Sequence, residues 1–113
     1  MDFSTTMKKN YEFRRLYARG KSAATGNIVV YCRKCRRPDN KLGLTVGTKV
    51  GNAVTRNRIR RRLRAIYRLN EQRLRRGCDI VIVARVRSAG ATYAELEADF
   101  LSLCGRLGIL EEA

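Results

Sequence analysis

Residues 49–68 read KVGNAVTRNRIRRRLRAIYR, and six of the nine residues from Arg56 to Arg64 are arginine. Set on a helix, Ile59, Leu63, Ile66 and Tyr67 fall in one stripe about 100° wide. Asn57, Arg60, Arg61, Arg64 and Arg68 take the adjoining face, and Arg58 and Arg62 flank the stripe on its other side. A stripe that narrow docks one side of the helix on a core and leaves the rest to water or a partner. Asn52 is placed as an N-cap, its side-chain oxygen within reach of a free amide of the first turn. Gly51 before it lets the backbone turn tightly. The helix start therefore adds free N–H groups and a positive dipole end to the arginines, and both favour anions.

A charge run is most often a solvated face, but solvated helix faces mix signs, and no acid occurs between Asp39 and Glu71. Like charges held this close together oppose folding unless a polyanion neutralises them. Guanidinium forks suit phosphate bidentately, and arginine outnumbers lysine heavily here. The whole chain of 113 residues carries a net charge of +15, which again points to nucleic acid. Acids gather in the last segment: Glu95, Glu97, Asp99, Glu111 and Glu112 face a single base, Arg106, after residue 94. That end does not belong to the basic surface. One domain with a single modest core is the expected organisation over 1–113.

Working outward, residues 1–8 read as frayed. Asn10 is placed to cap a short helix to Arg19, with Gly20 at its C-terminal end. On that helix Phe13, Leu16 and Tyr17 share a face, either as core or as stacking surfaces beside Arg14, Arg15 and Arg19. Residues 27–33, NIVVYCR, read as a strand, with 21–25 as a short strand leading into it. A turn holding the single proline, Pro38, precedes a second strand over 41–48. There Leu42, Leu44 and Val46 alternate with Gly43, Thr45 and Gly47, small residues that admit another backbone or a ligand. Tyr31 fits either face. Residues 71–76 continue or close the arginine helix and Gly77 ends it, and 78–84, CDIVIVA, read as a strand buried on both faces. Thr92 and Glu95 have capping-box spacing ahead of a last helix with Leu96, Phe100, Leu103, Cys104 and Leu107 on its core side. The order α-β-β-(β)-α-β-α, the bracketed strand being optional, is an α+β fold, a single-domain α/β sandwich.

A catalytic centre is hard to build from these residues. There is no histidine, and Asp39 and Asp79 read as isolated, so a two-metal carboxylate site lacks ligands. Ser22 and Ser88 have no base in a recognisable motif. Cys32 and Cys35 form C-x2-C, but Cys78 and Cys104 are singletons, so no metal site is expected and all four read as ordinary thiols. No apolar run nears a membrane span and no signal segment follows Met1, so a cytoplasmic protein is the expectation.

The order Lys49-Val50-Gly51-Asn52-Ala53-Val54, then Arg56-Asn57-Arg58, Arg60-Arg61 and Arg64, resembles the signature of the bacterial ribonuclease P protein subunit. The likeness runs from about Lys8 to Ala84, with a weaker last helix, and departs modestly at Tyr17 and Ile28. It implies a fold similar to the second domain of a small-subunit ribosomal protein, with a left-handed β-α-β crossover where general rules give a right-handed one. It implies a subunit of an endoribonuclease that removes the 5′ leader of precursor tRNA, with catalysis by an RNA subunit and its magnesium (Mg2+) held by RNA and phosphate. On the same likeness Arg56, Asn57, Arg58, Arg60, Arg61, Arg64 and Arg68 contact the RNA subunit. Phe13, Tyr17 and Tyr31, with Lys49 and Asn52, line a cleft for the leader. The partners implied are the ribonuclease P RNA and precursor tRNA, with no membrane and no protein oligomer required. Two other classes stay open on the residues alone: a ribosome-associated RNA-binding protein without a processing role, and a DNA-binding helix module, which strands on both sides of the helix disfavour.

Overall fold

The computed structural model describes residues 1–111; residues 112 and 113 lie outside them. The elements are β1 (Ser4–Thr6), α1 (Asn10–Arg19), β2 (Lys21–Ala24), β3 (Ile28–Lys34), β4 (Asn40–Val46), α2 (Ala53–Asn70), β5 (Cys78–Ala84) and α3 (Tyr93–Arg106). The strands form one sheet in the order β1-β4-β5-β3-β2. β4 lies parallel to β1 and β5, whereas β3 is antiparallel to β5 and β2.

Strand periodicity divides the molecule into layers. The even-numbered residues Ile28, Val30 and Cys32, Leu42 and Val46, and Ile80, Ile82 and Ala84 meet α2 and α3 in the main core. From α2 come Ile59, Leu63, Ile66 and Tyr67, all fully buried, as the stripe predicts. Each such side chain contributes about 1.5–3 kcal/mol through removal from water. From α3 come Leu96, Phe100, Leu103 and Cys104. The capping box is present: Thr92 Oγ1 accepts from Glu95 N at 3.1 Å, and Glu95 Oε1 accepts from Thr92 N at 2.9 Å. Odd-numbered residues of the sheet face α1, where Met7, Leu16 and Val81 form a second, smaller cluster. β5 is central and is covered on both sides, as its unbroken apolar run implies.

Four sequence expectations are corrected. Residues 1–8 are not simply frayed: Ser4, Thr5 and Thr6 pair with Asn40, Lys41 and Leu42, and Met7 is 4% exposed. The exposed edge of β4 supplies unpaired backbone groups, and Glu71 accepts hydrogen bonds from the amides of Asp2 and Phe3 at 2.7 and 3.4 Å. Burial pushes the Glu71 carboxyl up, but hydrogen bonds from Ser4, Asp2 and Phe3 outweigh it and hold its pKa below the usual value. Asn10 is the first helical residue of α1, not its cap; Glu12 reaches back to Lys9 N at 3.4 Å instead. Gly20 has φ −79°, so it is not a left-handed terminator. It is a close-approach residue, because a Cβ there would lie 2.6 Å from the Leu16 carbonyl oxygen and 3.0 Å from that of Cys32. Finally, Asp39 and Asp79 are not isolated, since Arg37 bridges them. Gly77, by contrast, is left-handed at φ +82°, and its carbonyl accepts from Cys35 N.

One buried polar residue ties these pieces together. Asn40 is fully buried, with Oδ1 accepting from Cys78 N at 2.9 Å and Nδ2 donating to the Arg75 carbonyl at 3.0 Å. Its Nδ2 also lies 3.4 Å from the Tyr67 hydroxyl, which meets Ser4 Oγ at 2.7 Å.

Candidate nucleic-acid interface

The arginine helix begins where the sequence places it: Asn52 Oδ1 accepts from Thr55 N at 2.9 Å. Docking its apolar stripe on the sheet turns the opposite face outward, so that Asn57, Arg58, Arg61, Arg64 and Arg68 are exposed. The arginines then separate into two sets. Arg56 donates to the Gly51 carbonyl, Arg58 to that of Ala89, and Arg62 to that of Ala91, at 3.1, 3.2 and 3.2 Å. Arg60 donates to Asn57 Oδ1 at 3.1 Å and to the Val46 carbonyl at 3.4 Å. These bonds orient guanidinium groups along the rim of the helix. Arg61, Arg64 and Arg68 make no side-chain hydrogen bond among the described residues, and no α2 arginine has a carboxylate within 4.0 Å there. Their charge remains available to a partner.

The second part of the site lies on the α1 side of the sheet. Tyr31, Val81 and Gly43 form one transverse row across β3, β5 and β4, and Thr45 pairs with Val83 in the next. Tyr31 is thereby placed on the α1 face, which the sequence left undecided. Phe13 lies over Gly43 so closely that a Cβ would meet its ring at 2.6 Å. The room that the small residues of β4 provide is thus taken by the chain's own aromatic ring. Tyr17 is 40% exposed. It meets Tyr31 edge-on with ring centroids 4.9 Å apart, lies 6.4 Å from Phe13, and shares a 2.9 Å hydrogen bond with Thr45. Leu16, between them in sequence, goes to the core. Asn10, Phe13, Arg14, Tyr17 and Thr45 line a shallow open groove beside this cluster.

Arg14 stands beside the aromatics and Thr45 among the small β4 residues as the sequence suggests, whereas Asn10, expected only as a cap, is a groove residue the sequence missed. Its helical spacing to Phe13, Arg14 and Tyr17 is the signal that could have found it. Thr45 becomes a groove residue only through the β4 register. Lys49 is exposed in a 3-10 turn, Thr48–Val50, that follows β4, and Asn52 is exposed as the cap. The two halves of the site meet at the end of β4, where Thr45 holds Tyr17 and the neighbouring Val46 carbonyl holds Arg60.

The acids nearby do not offer a divalent-cation cage. Glu12 is paired with Lys41 Nζ at 2.7 Å, a hydrogen bond that holds its pKa below the usual value. Asp39 and Asp79 share Arg37. Among the described residues no three His, Cys, Asp or Glu side chains come together as metal ligands. Cys35 donates to Asp79 at 3.2 Å, whereas Cys32, Cys78 and Cys104 are buried, so the C-x2-C pair does not act as one site. Burial pushes all four thiols above their ordinary pKa, Cys104 to about 12. None is a ready nucleophile.

Comparison with known proteins finds relatives over nearly the whole chain. The family model described as Ribonuclease P matches residues 1–108. The ribonuclease P protein component of Natranaerobius thermophilus is 40% identical over 107 residues, covering 95% of this chain and 93% of that one. That of Clostridioides difficile is 40% identical over 112 residues, covering 96% and 98%. Among solved structures, the RNase P protein of Staphylococcus aureus superposes with a TM-score of 0.86 at 28% identity, over 94% of this chain and 97% of that one. The RNase P protein of Thermotoga maritima gives 0.82 at 27% identity, over 90% and 96%.

Proposed function

Because the chain belongs to the ribonuclease P protein family, and so is a subunit of a tRNA-processing endoribonuclease, we propose a division of labour between its two exposed surfaces. The outer face of α2 binds the RNA subunit, and the Phe13–Tyr17–Tyr31 face holds the single-stranded 5′ leader of precursor tRNA. The observation that carries the reading is the pairing of unneutralised arginines on α2 with a half-exposed aromatic cluster, joined through adjacent residues of β4. Arginines of this kind fit phosphate and read shape rather than sequence, which suits a folded RNA. Tyrosine rings edge-braced by each other and by Thr45 suit bases of any identity, as a leader of varied sequence needs.

Cleavage itself is assigned to the RNA subunit. The chain has no histidine, its acids near the groove are committed to Lys41 and Arg37, and its thiols are held protonated. Magnesium is then held by RNA and phosphate oxygens, and the protein contributes by neutralising phosphates so that RNA and substrate dock at lower magnesium. Holding the leader adds affinity for precursor over product, which lets mature tRNA depart. The test is a cleavage assay on a precursor tRNA with a 5′ leader at low magnesium. A bacterial ribonuclease P RNA alone, this protein alone and both together are compared. Cleavage at the mature 5′ end only with both present is the expected result. Cleavage by the protein alone overturns the assignment to RNA, and no stimulation by the protein overturns the subunit role.

A further inference from the structure

A second basic surface lies at the other end of the sheet, where β3 ends and β5 begins. Arg19, Lys21, Arg33 and Lys34 line a groove floored by Cys32, Leu107 and Ile109. Lys34 also borders the adjoining groove, with Arg75, Arg76 and Gly77. Lys34 lines both grooves, which together make a basic trough carrying six cations. None of the six has a carboxylate within 4.0 Å among the described residues. Asp79 stands opposite Arg33 in the strand register, but it is held by Arg37, as is Asp39. Glu111 is the remaining acid on the trough wall.

The trough is rigidly built. Cys35 N donates to the Gly77 carbonyl at 2.6 Å, and a Cβ at Gly77 would lie 2.8 Å from the Arg37 carbonyl oxygen, so the β3–β4 turn is seated on this backbone. Arg75 N donates to the Ile109 carbonyl at 2.8 Å, which fixes the wall after α3. Helix dipoles explain part of the charge, since Arg19 ends α1. Lys21, Arg33 and Lys34 stand on strands and Arg75 and Arg76 on a loop, where no dipole calls for them. Seven-residue strands separate this end from the start of α2 by about 20 Å. The start of α2 therefore lies beyond a Debye length of about 8 Å, whereas its last turn returns to this end, where Tyr67 meets Asn40 and Asn40 meets the Arg75 carbonyl.

We propose that this trough is a second phosphodiester-binding surface, gripping a stretch of RNA backbone separate from the one on α2. The proposal rests on the RNA-binding reading above and goes beyond it in naming a further surface. Two RNAs offer the same chemistry, the ribonuclease P RNA and precursor tRNA, and separate binding arms distinguish them.

The experiment measures the salt dependence of affinity in two binding arms: protein with a bacterial ribonuclease P RNA, and reconstituted holoenzyme with precursor tRNA. Lys21→Ala/Lys34→Ala/Arg75→Ala alters exposed side chains only and leaves Arg76 on the Phe3 ring. The expected result is a slope of log affinity against log salt shallower by about 0.7–0.9 per lost phosphate contact, in the arm whose RNA occupies the trough. Parent slopes in both arms overturn the proposal. Arg61→Ala/Arg64→Ala serves as comparator: if it too keeps the parent slope, the RNA-binding reading of α2 fails as well. A shallower slope for the comparator alone overturns only the trough. Lys34→Arg, which keeps the charge, is expected to keep the parent slope, and a fall there overturns the electrostatic basis.

Discussion

Replacing Tyr17 by alanine removes the one aromatic ring of the cluster that is both well exposed and held on two sides. Its hydroxyl meets Thr45 at 2.9 Å, and its edge packs on Tyr31 at 4.9 Å between centroids. The cost to folding is small, because the hydrogen bond is solvent-exposed and such a bond contributes about 0.5–1.5 kcal/mol at most. The cost to binding is larger if a leader base stacks there, about 1–3 kcal/mol, or about 5- to 140-fold in dissociation constant. The assay is equilibrium binding of the reconstituted holoenzyme to precursor tRNA and, in parallel, to mature tRNA. Precursor affinity is expected to fall by that factor while mature tRNA is unaffected. Tyr17→Phe, which keeps the ring and loses only the Thr45 bond, is expected to stay near the parent. An unchanged ratio of precursor to mature affinity in Tyr17→Ala refutes leader stacking, and a collapsed melting temperature means the ring is core.

Gly43→Ala places a Cβ 2.6 Å from the Phe13 ring and 3.1 Å from Val81, so Phe13 must move. A loss of about 1–3 kcal/mol in denaturant stability is expected, and an unperturbed midpoint contradicts the close contact. Asn40→Ala leaves the buried Cys78 amide and the Arg75 carbonyl short of a partner, for about 1–3 kcal/mol or more. Asn40→Asp, which keeps the acceptor for Cys78 N, is expected to recover none of the Arg75 bond; full stability in either variant counts against the network. The pH dependence has a definite sign on each side. Buried Cys32, Cys78 and Cys104 have pKa values raised from 9.0, so their contribution is complete below that value and is lost as pH rises. Each thiol that ionises only on unfolding removes about 1.4 kcal/mol per pH unit, and Cys104→Ala is expected to flatten that decline in a melting series. Glu71 is shifted down, so its contribution is present above the usual carboxylate range and disappears on acidification. Glu71→Gln is expected to reduce the loss of melting temperature on going to acid, and an identical acid limb counts against the anchor.

The α2 helix, its cap, its buried stripe and its outward arginines were all legible in residues 49–68, because helix periodicity and capping are local properties of the chain. The same holds for β5, whose unbroken apolar run requires cover on both faces, and for the Thr92–Glu95 box. What the local pattern could not determine is which groups meet across the sheet. Tyr31 could face either way until the β3–β5 register set it in a row with Val81 and Gly43. The small residues of β4 promised space without saying that Phe13 fills it. Residues 4–6 carry almost no strand signal; they pair because β4 has a free edge and Glu71, far along the chain, binds the amides beside them. Asp39 and Asp79 are forty residues apart in sequence and share one guanidinium in space. The basic trough is likewise assembled from α1, β2, β3 and the segment before β5, which only the sheet topology brings together. Charge and periodicity are written along the chain, whereas long-range contacts are chosen by strand register and by which buried groups can satisfy one another.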